Sequence, residues 1–291
     1  MVGEIKTLVL GASGYLGTVI YDHFKSRHPT YGTYMNSKSG TLVHLDVRDR
    51  NQVRGLLKDV KPDTLIVCTG ITDVELCEEN RELAFETNVI GIENIVSSYT
   101  GKLVYFSTDF VFDGEKGCYA EEDKMNPINY YGKTKAEAEN IITGSSADYL
   151  IARVAALYGG AFENGKFVSW CKSKLAGGEE VKAITNYIRS PTYVLDIPPA
   201  IEKLVESSAA GVYHVAGPDR LSSYDMAKVI ARKMGASAGL VKPISDVEYA
   251  TKARRPRDAT LNTQKIKDIG VTMTSFEDGA DRLLSRQVNG L

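Results

Sequence analysis

The chain of 291 residues is 43% hydrophobic, and its 35 basic and 37 acidic side chains leave a formal charge of −2. This size and composition allow a substantial core, and the mixed, nearly neutral charge excludes the basic surface expected of a nucleic-acid-binding protein. No apolar run reaches the roughly 18 residues of a membrane span, and the charged start does not resemble a signal peptide, so we expect no membrane partner and a cytoplasmic location.

Short β-rich runs alternate with helical segments through the first half of the chain. Helices are expected near residues 15–26, 50–57 and 81–98, and the strand-like runs are TLVLGA, YGTYM, TLVHLDV, TLIVCTG and KLVYFST. Such alternation predicts βαβ units, which place parallel strands in one sheet with helices on both faces. The sequence therefore predicts an α/β fold with a Rossmann-type doubly wound parallel sheet.

After Gly160 the alternation becomes shorter and less regular. Further helices are expected in FVSWCKSKLAGG, DIPPAIEKLVES and SSYDMAKVIARKMG, and further strands in EEVKAIT and GVYHVAG. We therefore expect residues 1–158 to form a Rossmann domain that also receives residues 190–208. Residues 159–189 and 209–291 are expected to form a smaller C-terminal α/β substrate domain, interwoven with the first.

Three glycines separate the first predicted strand from the first predicted helix. Glycine permits a tight turn at the first position, close approach of a pyrophosphate at the second and close helix–sheet packing at the third, while the helix N-terminus attracts phosphate. The spacing G-x-x-G-x-x-G differs from the G-x-G-x-x-G of many dehydrogenases, but its position predicts a dinucleotide-binding turn. The predicted cofactor contacts in this turn are Gly11, Ser13, Gly14, Tyr15, Leu16 and Gly17.

The segment after the second predicted strand bears on the choice of cofactor. An acidic residue there would bind the ribose 2′-hydroxyl of NAD, but none occurs between residues 31 and 40. Ser37 and Lys38 would instead bind a 2′-phosphate, which favours NADP(H), with NAD(H) as the alternative. Asp46 and Val47, at the end of the third predicted strand, are candidates for contact with adenine, although Asp46 is equally interpretable as a turn residue.

Tyr131 and Lys135 lie four residues apart in a predicted helix, so their side chains share one face. A tyrosine titrates near about pH 10, so proton transfer at neutral pH benefits from a nearby cation such as Lys135. Ordinary solvated helices show the same spacing. Ser107 and Thr108 end the preceding strand, at the sheet edge where ligands bind in such folds, and a hydroxyl there would hold a substrate carbonyl oxygen.

The motifs GASGYLG, FSTDFVFDG, YYGKTKAEAE and RVAALYGG together resemble those of the extended short-chain dehydrogenase/reductases, and especially the dTDP-4-dehydrorhamnose reductases. CTGITDVELCEEN, AFETNVIGIENI, SPTYVLDI and RRPRDATLN extend this resemblance over nearly the whole chain. The resemblance implies that Thr108 is the hydroxyl member of a catalytic set and Tyr131 the proton donor. It also implies that Lys135 lowers the pKa of the tyrosine and binds the nicotinamide ribose.

The same resemblance extends the predicted cofactor site beyond the glycine turn. It implies that Cys68, Thr69, Gly70 and Thr72 line the cofactor with Ser107, and that Asn88 lies behind the active site. Two of these residues have an alternative interpretation. Cys68 is also typical of a small buried residue, and Asn88 of a helix-interior amide that holds backbone.

On the substrate side the resemblance points to Val74, Phe110, Ala156 and Arg255. The family commonly has tyrosine in place of Phe110 and tryptophan in place of Ala156. The predicted sugar pocket therefore lacks one hydroxyl and one large aromatic ring, so its substrate is expected to be related to dTDP-4-dehydrorhamnose without necessarily being it. Arg255 belongs to the basic stretch RRPRD, which either meets a diphosphate or is a solvated loop.

The implied reaction is hydride transfer from NADPH to the ketone of a 4-keto nucleotide-linked sugar, with Tyr131 protonating the oxygen. A dehydratase would need a second carboxylate where Phe110 follows Asp109, whereas a nucleotide-sugar epimerase would use the same catalytic set. A non-catalytic NADP-binding regulatory subunit, such as the methionine adenosyltransferase β subunit, is an alternative of a different class. The sequence is compatible with a homodimer.

Other polar residues are expected to serve the structure. Arg153 and His214 are predicted to make structural hydrogen bonds. The four cysteines, Cys68, Cys77, Cys118 and Cys171, are far apart and form no CxxC pair, which is typical of reduced thiols. No group of histidine, cysteine and aspartate has metal-ligand spacing, so no metal site is predicted.

Overall fold

The computed structural model describes residues 5–37, 40–160, 167–249 and 251–288. The strands, in chain order, are β1 (Thr7–Leu10), β2 (Thr30–Tyr34), β3 (Val43–His44), β4 (Thr64–Val67), β5 (Lys102–Thr108), β6 (Asp148–Val154), β7 (Leu157–Tyr158), β8 (Val181–Ile184), β9 (Ile188–Arg189), β10 (Thr192–Tyr193), β11 (Gly211–His214), β12 (Leu221–Ser222) and β13 (Val241–Ile244). The helices are α1 (Tyr15–Lys25), α2 (Arg50–Val60), α3 (Val74–Glu79), α4 (Arg81–Phe85), α5 (Gly91–Val96), α6 (Tyr130–Thr143), α7 (Phe167–Ala176), α8 (Ile197–Glu206), α9 (Ser223–Lys233), α10 (Gln264–Asp268) and α11 (Phe276–Val288).

A seven-stranded sheet of order β11-β6-β5-β4-β1-β2-β3 lies at the centre, and all of its neighbouring strands are parallel. Every residue of β1 and β4 is buried, because apolar side chains from helices cover both faces. One core contains side chains of α1 and α8, and the other contains side chains of α2, α5 and α6. The predicted Rossmann-type doubly wound sheet is therefore confirmed. The strand order reverses between β1 and β4, where a ligand crevice is expected at the carboxyl ends.

Two predicted elements differ in detail. The helix expected near residues 81–98 is interrupted by a π-helical stretch, Glu86–Ile90, between α4 and α5. Such π-helical turns often accompany functional sites, because they redirect side chains within a helix. The third strand is shorter than the apolar run indicated, since only Val43 and His44 pair with β2 and both are exposed.

Residues that follow β6 in the chain form a smaller layer, which contains the parallel pair β8–β13 with helices α7, α9 and α11. Side chains of α8 pack in the core of the main sheet. The strand β11, however, pairs with β6 in the main sheet although its residues were assigned to the smaller domain. The proposed division is therefore corrected there. In the described ranges, no helix combines the length and apolar character needed to cross a bilayer.

Buried charges and a close backbone contact fix α6 against the sheet. Arg153 of β6 donates to both carboxylate oxygens of Glu139 on α6, with a shortest Nη2–Oε2 distance of 2.7 Å. His214 Nδ1 lies 2.9 Å from the carbonyl oxygen of Asn262. At the other end of α6, a Cβ on Gly132 would lie 2.2 Å from the carbonyl oxygen of Phe110. The start of α6 therefore approaches the end of β5 as closely as backbone allows.

Candidate functional site

A cleft follows the carboxyl edge of the main sheet and consists of two adjoining cavities. The first, of about 330 Å³, contains Tyr131 and is called the tyrosine cavity. The second, of about 480 Å³, contains Gly11 and Ser13 and is called the glycine-turn cavity. Because Gly14, Cys68, Thr69 and Gly70 line both, the two cavities form one continuous site.

Most of the predicted site residues are brought together here. The tyrosine cavity is lined by the predicted residues Gly14, Tyr15, Leu16, Cys68, Thr69, Gly70, Thr72, Val74, Ser107, Thr108, Phe110, Tyr131, Lys135 and Ala156. The glycine-turn cavity adds Gly11, Ser13, Ser37, Asp46 and Val47. Lys38 lies outside the described residues.

The glycine turn has the backbone geometry that requires glycine. Gly11 has φ +77°, in the left-handed region, and its N–H donates to Thr33 Oγ1 at 3.0 Å. A Cβ on Gly17 would lie 2.0 Å from the carbonyl oxygen of Gly11, so any side chain there would displace the turn. The N-terminus of α1, with Gly14 at its N-cap, faces the cleft and presents backbone N–H groups to a negatively charged ligand.

At the far end of the glycine-turn cavity, Asp46 is already paired. Arg48 donates to both of its carboxylate oxygens, with an Nη2–Oδ2 distance of 2.6 Å. These hydrogen bonds from Arg48 hold the pKa of Asp46 below its ordinary value. Arg48 also lines the cavity, and the sequence analysis missed it although it is two residues from Asp46. A loop contact with a cofactor leaves no spacing signal that would have identified it.

Asn88 hydrogen-bonds to the loop after β4 and is not among the residues that line the two cavities. Its side chain accepts from Ile71 N at 2.8 Å and donates to Ile71 O at 3.0 Å. It also donates to Thr134 Oγ1 on α6 at 3.0 Å. The side-chain amide of Asn88, in the π-helical stretch, therefore links the loop after β4 to α6. These contacts agree with the alternative interpretation of Asn88 as a helix-interior amide that holds backbone.

Thr108 and Tyr131 are buried together in the tyrosine cavity, 5% and 7% exposed. Burial raises the pKa of the Tyr131 hydroxyl above its ordinary value, while a side-chain hydrogen bond with Thr108 opposes that rise. The positive charge of Arg189 also lowers the pKa of Tyr131. Tyr131 therefore retains its proton in the free protein, and burial makes that proton harder to release.

Lys135 lies deeper on the same helix face. Its Nζ donates to the carbonyl oxygen of Phe106 at 2.7 Å and lies 4.0 Å from the centroid of the Tyr105 ring. Burial lowers the pKa of Lys135 to about 7, and the negative charge of Glu139 opposes this. The lysine is therefore close to its titration midpoint at neutral pH. Its effect on the pKa of Tyr131 remains a prediction.

Arg189 is a residue of this cavity that sequence analysis missed. It follows Ile188 in β9, donates to both carboxylate oxygens of Asp109, and has its guanidinium carbon 4.2 Å from the centroid of the Phe110 ring. Nothing in its local sequence marks it, because the contact joins segments 80 residues apart. Burial raises the pKa of Asp109, and the pairing with Arg189 opposes that rise. Every contact to this carboxylate is from a donor, so it is poorly placed to act as an acid in dehydration.

The predicted substrate residues divide between two cavities. Val74, Phe110 and Ala156 line the tyrosine cavity, and Ala156 adopts a left-handed backbone with φ +42°. Arg255 lies elsewhere, in a third cavity of about 660 Å³, and its Nη2 donates to Glu75 Oε1 at 3.1 Å. That cavity is also lined by Arg254, Arg257 and Tyr187. Among the residues with described positions, no cluster of three or more histidine, cysteine, aspartate or glutamate side chains has metal-binding geometry.

Known proteins resemble the chain over nearly its full length. The methionine adenosyltransferase 2 subunit beta of Xenopus tropicalis is 30% identical over 278 residues, which cover 91% of this chain and 83% of that protein. The probable low-salt glycan biosynthesis reductase Agl14 of Haloferax volcanii is 29% identical over 283 residues, 93% of this chain and 94% of that one.

A crystal structure of dTDP-4-dehydrorhamnose reductase from Bacillus anthracis, in complex with NADP, matches with a TM-score of 0.89 and 29% identity. The match covers 98% of this chain and 100% of that one. A family model described as the RmlD substrate binding domain matches residues 5–288. The resemblance inferred from the motifs is confirmed, and the chain belongs to the RmlD substrate binding domain family.

Proposed function

We propose that the protein is an NADPH-dependent reductase of a 4-keto nucleotide-linked sugar. The observation that carries this proposal is the burial of Thr108 and Tyr131 in one cavity with Lys135, continuous with the cavity of the glycine turn. A proton donor and a carbonyl-binding hydroxyl thus adjoin a dinucleotide-shaped cleft. Similarity to a dTDP-4-dehydrorhamnose reductase crystallised with NADP supports an oxidoreductase.

The residues of the glycine-turn cavity fit a nicotinamide dinucleotide, which supplies the hydride when bound. The turn leaves no space for a Cβ at Gly17, and its backbone N–H groups would hold the pyrophosphate. Ser37 lines the cavity in a segment without an acidic residue, which favours NADP(H) over NAD(H). Lys135 would bind the hydroxyls of the nicotinamide ribose.

Tyr131 would then protonate the substrate oxygen as the hydride reaches the carbon. The O–H of Thr108, which donates to Asp109 Oδ1 in the free protein, would turn to the same oxygen and hold it beside the phenol. Both residues are nearly excluded from water, so few solvent molecules must leave before the substrate enters. Proton donation from a positioned side chain typically contributes about 10²- to 10⁴-fold to a rate.

The third cavity, which we call the arginine-lined cavity, contains Arg254, Arg255 and Arg257, whose guanidinium groups would bind a substrate diphosphate. Four carboxylates line the same cavity and compete for these arginines: Asp113, Glu115, Asp246 and Asp258. The small Ala156 and the hydroxyl-free Phe110 leave the sugar side less polar and roomier than the family pattern. We therefore propose a 4-keto sugar that differs from dTDP-4-dehydrorhamnose at the positions contacted there.

A screen of NADPH oxidation against 4-keto nucleotide sugars tests this function. We expect turnover in the wild type and a loss of about 1,000-fold in kcat for Tyr131→Phe, with NADPH binding retained. Turnover that Tyr131→Phe leaves unchanged would mean that another group donates the proton. Absence of NADPH oxidation across the screen would reject the reductase.

A second function is favoured by one specific observation. The chain is 30% identical to a methionine adenosyltransferase 2 subunit beta, and the intact glycine turn would also serve a cofactor-binding partner without turnover. Under this alternative, the protein would bind NADP and copurify with a methionine adenosyltransferase. Size-exclusion chromatography of the purified chain mixed with that enzyme distinguishes the two functions, because a reductase would elute separately.

A further inference from the structure

Arg189 and Asp109 form a buried ion pair between two distant parts of the fold. Asp109 follows β5 and is fully buried, and Arg189 belongs to β9 with 18% of its side chain exposed. Arg189 Nη2 donates to Asp109 Oδ1 at 2.6 Å, and Arg189 Nε donates to the other carboxylate oxygen. Bidentate pairing of this kind fixes the orientation of both groups.

The ion pair continues to the predicted catalytic hydroxyl. Asp109 Oδ1 also accepts from Thr108 Oγ1 at 3.0 Å, and Phe110 N donates to the same hydroxyl oxygen at 3.2 Å. The carboxylate and the backbone together determine where the hydroxyl of Thr108 points. Thr108 and Tyr131 line the same cavity.

A second contact path leads from Arg189 to the same tyrosine. The guanidinium carbon lies 4.2 Å from the centroid of the Phe110 ring, within the range of a cation–π interaction. The Phe110 ring meets the Tyr131 ring edge-on, with centroids 5.8 Å apart. Arg189 therefore supports Tyr131 through the aromatic ring as well as through the carboxylate.

The strand that carries Arg189 is also bonded to the arginine-rich segment. Ile188 N donates to the carbonyl oxygen of Arg257 at 2.6 Å, and Ala259 N donates to the carbonyl oxygen of Ile188 at 3.2 Å. The residue before Arg189 is therefore hydrogen-bonded to the segment that we propose binds the substrate diphosphate. The side chain of Arg189 extends from β9 to Asp109, at the end of β5.

We propose that Arg189 is a positioning residue for the reduction. Through Asp109 it fixes the side chain of Thr108, and through Phe110 it holds the ring of Tyr131, so that these two groups keep a set position relative to each other. This inference rests on the proposed reductase function. It adds a residue of the substrate-side segment to the groups that determine the geometry of proton transfer.

Three variants separate positioning from folding. Arg189→Met removes both contacts and leaves a buried carboxylate unpaired, whereas the double variant Arg189→Met with Asp109→Asn leaves no unpaired charge. Arg189→Lys keeps the charge but loses the bidentate geometry. We expect Arg189→Met to lower kcat about 100-fold, the typical cost of a small misplacement at a reacting centre. KM for the sugar and the Kd for NADPH should change less than about threefold.

The double variant should recover about tenfold of the lost kcat, and Arg189→Lys should lie between the wild type and Arg189→Met. A fall in melting temperature for Arg189→Met with kcat unchanged would overturn the proposal, because the pair would then serve folding alone. An equal fall in kcat for Arg189→Met and the double variant would also overturn it, since neutralising the orphaned carboxylate would have no effect.

A spectroscopic test does not depend on turnover. The protein is labelled with ¹³Cζ-tyrosine, and the Tyr131 resonance is assigned by its absence in Tyr131→Phe. We expect this resonance to shift in Arg189→Met and to return toward its wild-type position in the double variant. A resonance that stays in place in Arg189→Met would overturn the positioning role. A wild type without NADPH oxidation but with the expected shifts would reject the reductase and retain the contact between Arg189 and Tyr131.

Discussion

The two ends of the cleft, the glycine-turn cavity and the tyrosine cavity, differ in the groups that form them. The glycine-turn cavity depends on backbone, with Gly11 in a left-handed conformation and the Asp46–Arg48 pair partly exposed at its far end. The tyrosine cavity depends on buried side chains, and Thr108 and Tyr131 each have a fixed hydrogen-bond partner. Backbone N–H groups bind a phosphate but take no part in a reaction, whereas a positioned hydroxyl can donate or accept a proton.

This difference predicts how substitutions divide between binding and catalysis. Changes in the glycine turn should alter the Kd for NADPH, because they change the shape that the pyrophosphate meets. Changes in the tyrosine cavity should alter kcat, because the affected groups act on the reacting oxygen. Each variant below tests whether the two ends are in fact separable.

Thr108→Val should have the largest effect. The substitution keeps the shape of the side chain but removes the hydroxyl that accepts from Phe110 N and donates to Asp109. Because we propose that this O–H turns from Asp109 to the substrate oxygen in the complex, we expect kcat for the 4-keto sugar to fall about 100- to 1,000-fold, as on loss of one donor to a developing oxyanion. Steady-state kinetics and an NADPH fluorescence titration measure the two quantities.

Thr143→Val, at an exposed site near the end of α6, is the matched control and should leave both quantities unchanged. If Thr108→Val weakened NADPH binding as strongly as it lowered kcat, the hydroxyl would belong to the cofactor site. The separation of the two ends would then be wrong.

Gly17→Ala should mainly weaken cofactor binding. Its Cβ would lie 2.0 Å from the carbonyl oxygen of Gly11, so the turn must move. We expect a strain of about 1–3 kcal/mol, and a 10- to 100-fold increase in the Kd for NADPH is about the corresponding change in affinity. Isothermal titration calorimetry measures this Kd.

Gly55→Ala is the control for Gly17→Ala, because Gly55 lies in α2 and a Cβ there would meet nothing within 4 Å. It should leave the Kd unchanged and stabilise the helix by about 0.5–1 kcal/mol. An unchanged Kd in Gly17→Ala would show that the glycine turn does not hold the pyrophosphate.

Much of the large sheet could be predicted from local patterns. The apolar runs of β1 and β4 are continuous because both faces are covered, and the glycines between β1 and α1 identify the turn. The π-helical stretch Glu86–Ile90 could not be predicted, since its sequence is helical and the side-chain contacts of Asn88 are tertiary. The strand β11 was assigned to the wrong layer because its pairing with β6 depends on a crossover.

The residues of the candidate site likewise include some that the local sequence identifies and some that it does not. Tyr131 and Lys135 share a helix, so their spacing is visible in the sequence, and Thr108 ends a recognisable strand. Arg189 reaches Asp109 from 80 residues away, and such a contact depends on the packing of β9 against the main sheet. Arg255 was predicted in a stretch that either meets a diphosphate or is a solvated loop. It lines the arginine-lined cavity, where its Nη2 donates to Glu75 Oε1, and this tertiary contact could not be predicted from the local sequence.

The stability of the free protein should depend on pH through Lys135. Burial lowers the pKa of this lysine to about 7 from an ordinary value of 10.5. Between these two pH values the unfolded chain binds a proton that the folded chain does not, so the free energy of unfolding rises with pH in that window. Relative to Lys135→Met, the slope should approach about 1.4 kcal/mol per pH unit and vanish above the ordinary pKa.

Urea unfolding of the wild type and Lys135→Met between pH 6 and about pH 10 measures this difference. Parallel stability curves for the two proteins would contradict a lowered pKa for Lys135. Lys135 would then be charged in the free protein at neutral pH. It would bind the cofactor ribose without first taking up a proton.

Ser107→Ala should have the smallest effect and opposite signs on stability and binding. Ser107 is 2% exposed, lines the tyrosine cavity, and its Oγ has no hydrogen-bond partner within the described ranges. Removing a buried hydroxyl without a partner should leave the free protein unchanged or stabilise it by about 1 kcal/mol. If the bound cofactor is the missing partner, NADPH should bind about fivefold more weakly, a loss of about 1 kcal/mol.

Thermal denaturation and NADPH titration of the same samples measure both signs. Ser97→Ala, at an exposed residue that loses a partly buried hydrogen bond to Asn94 O, is the control. Unchanged NADPH affinity in Ser107→Ala would assign this hydroxyl to the fold alone. Tyr131 and Lys135 would then hold the nicotinamide half of the cofactor without it, and the difference between the glycine-turn cavity and the tyrosine cavity would become clearer.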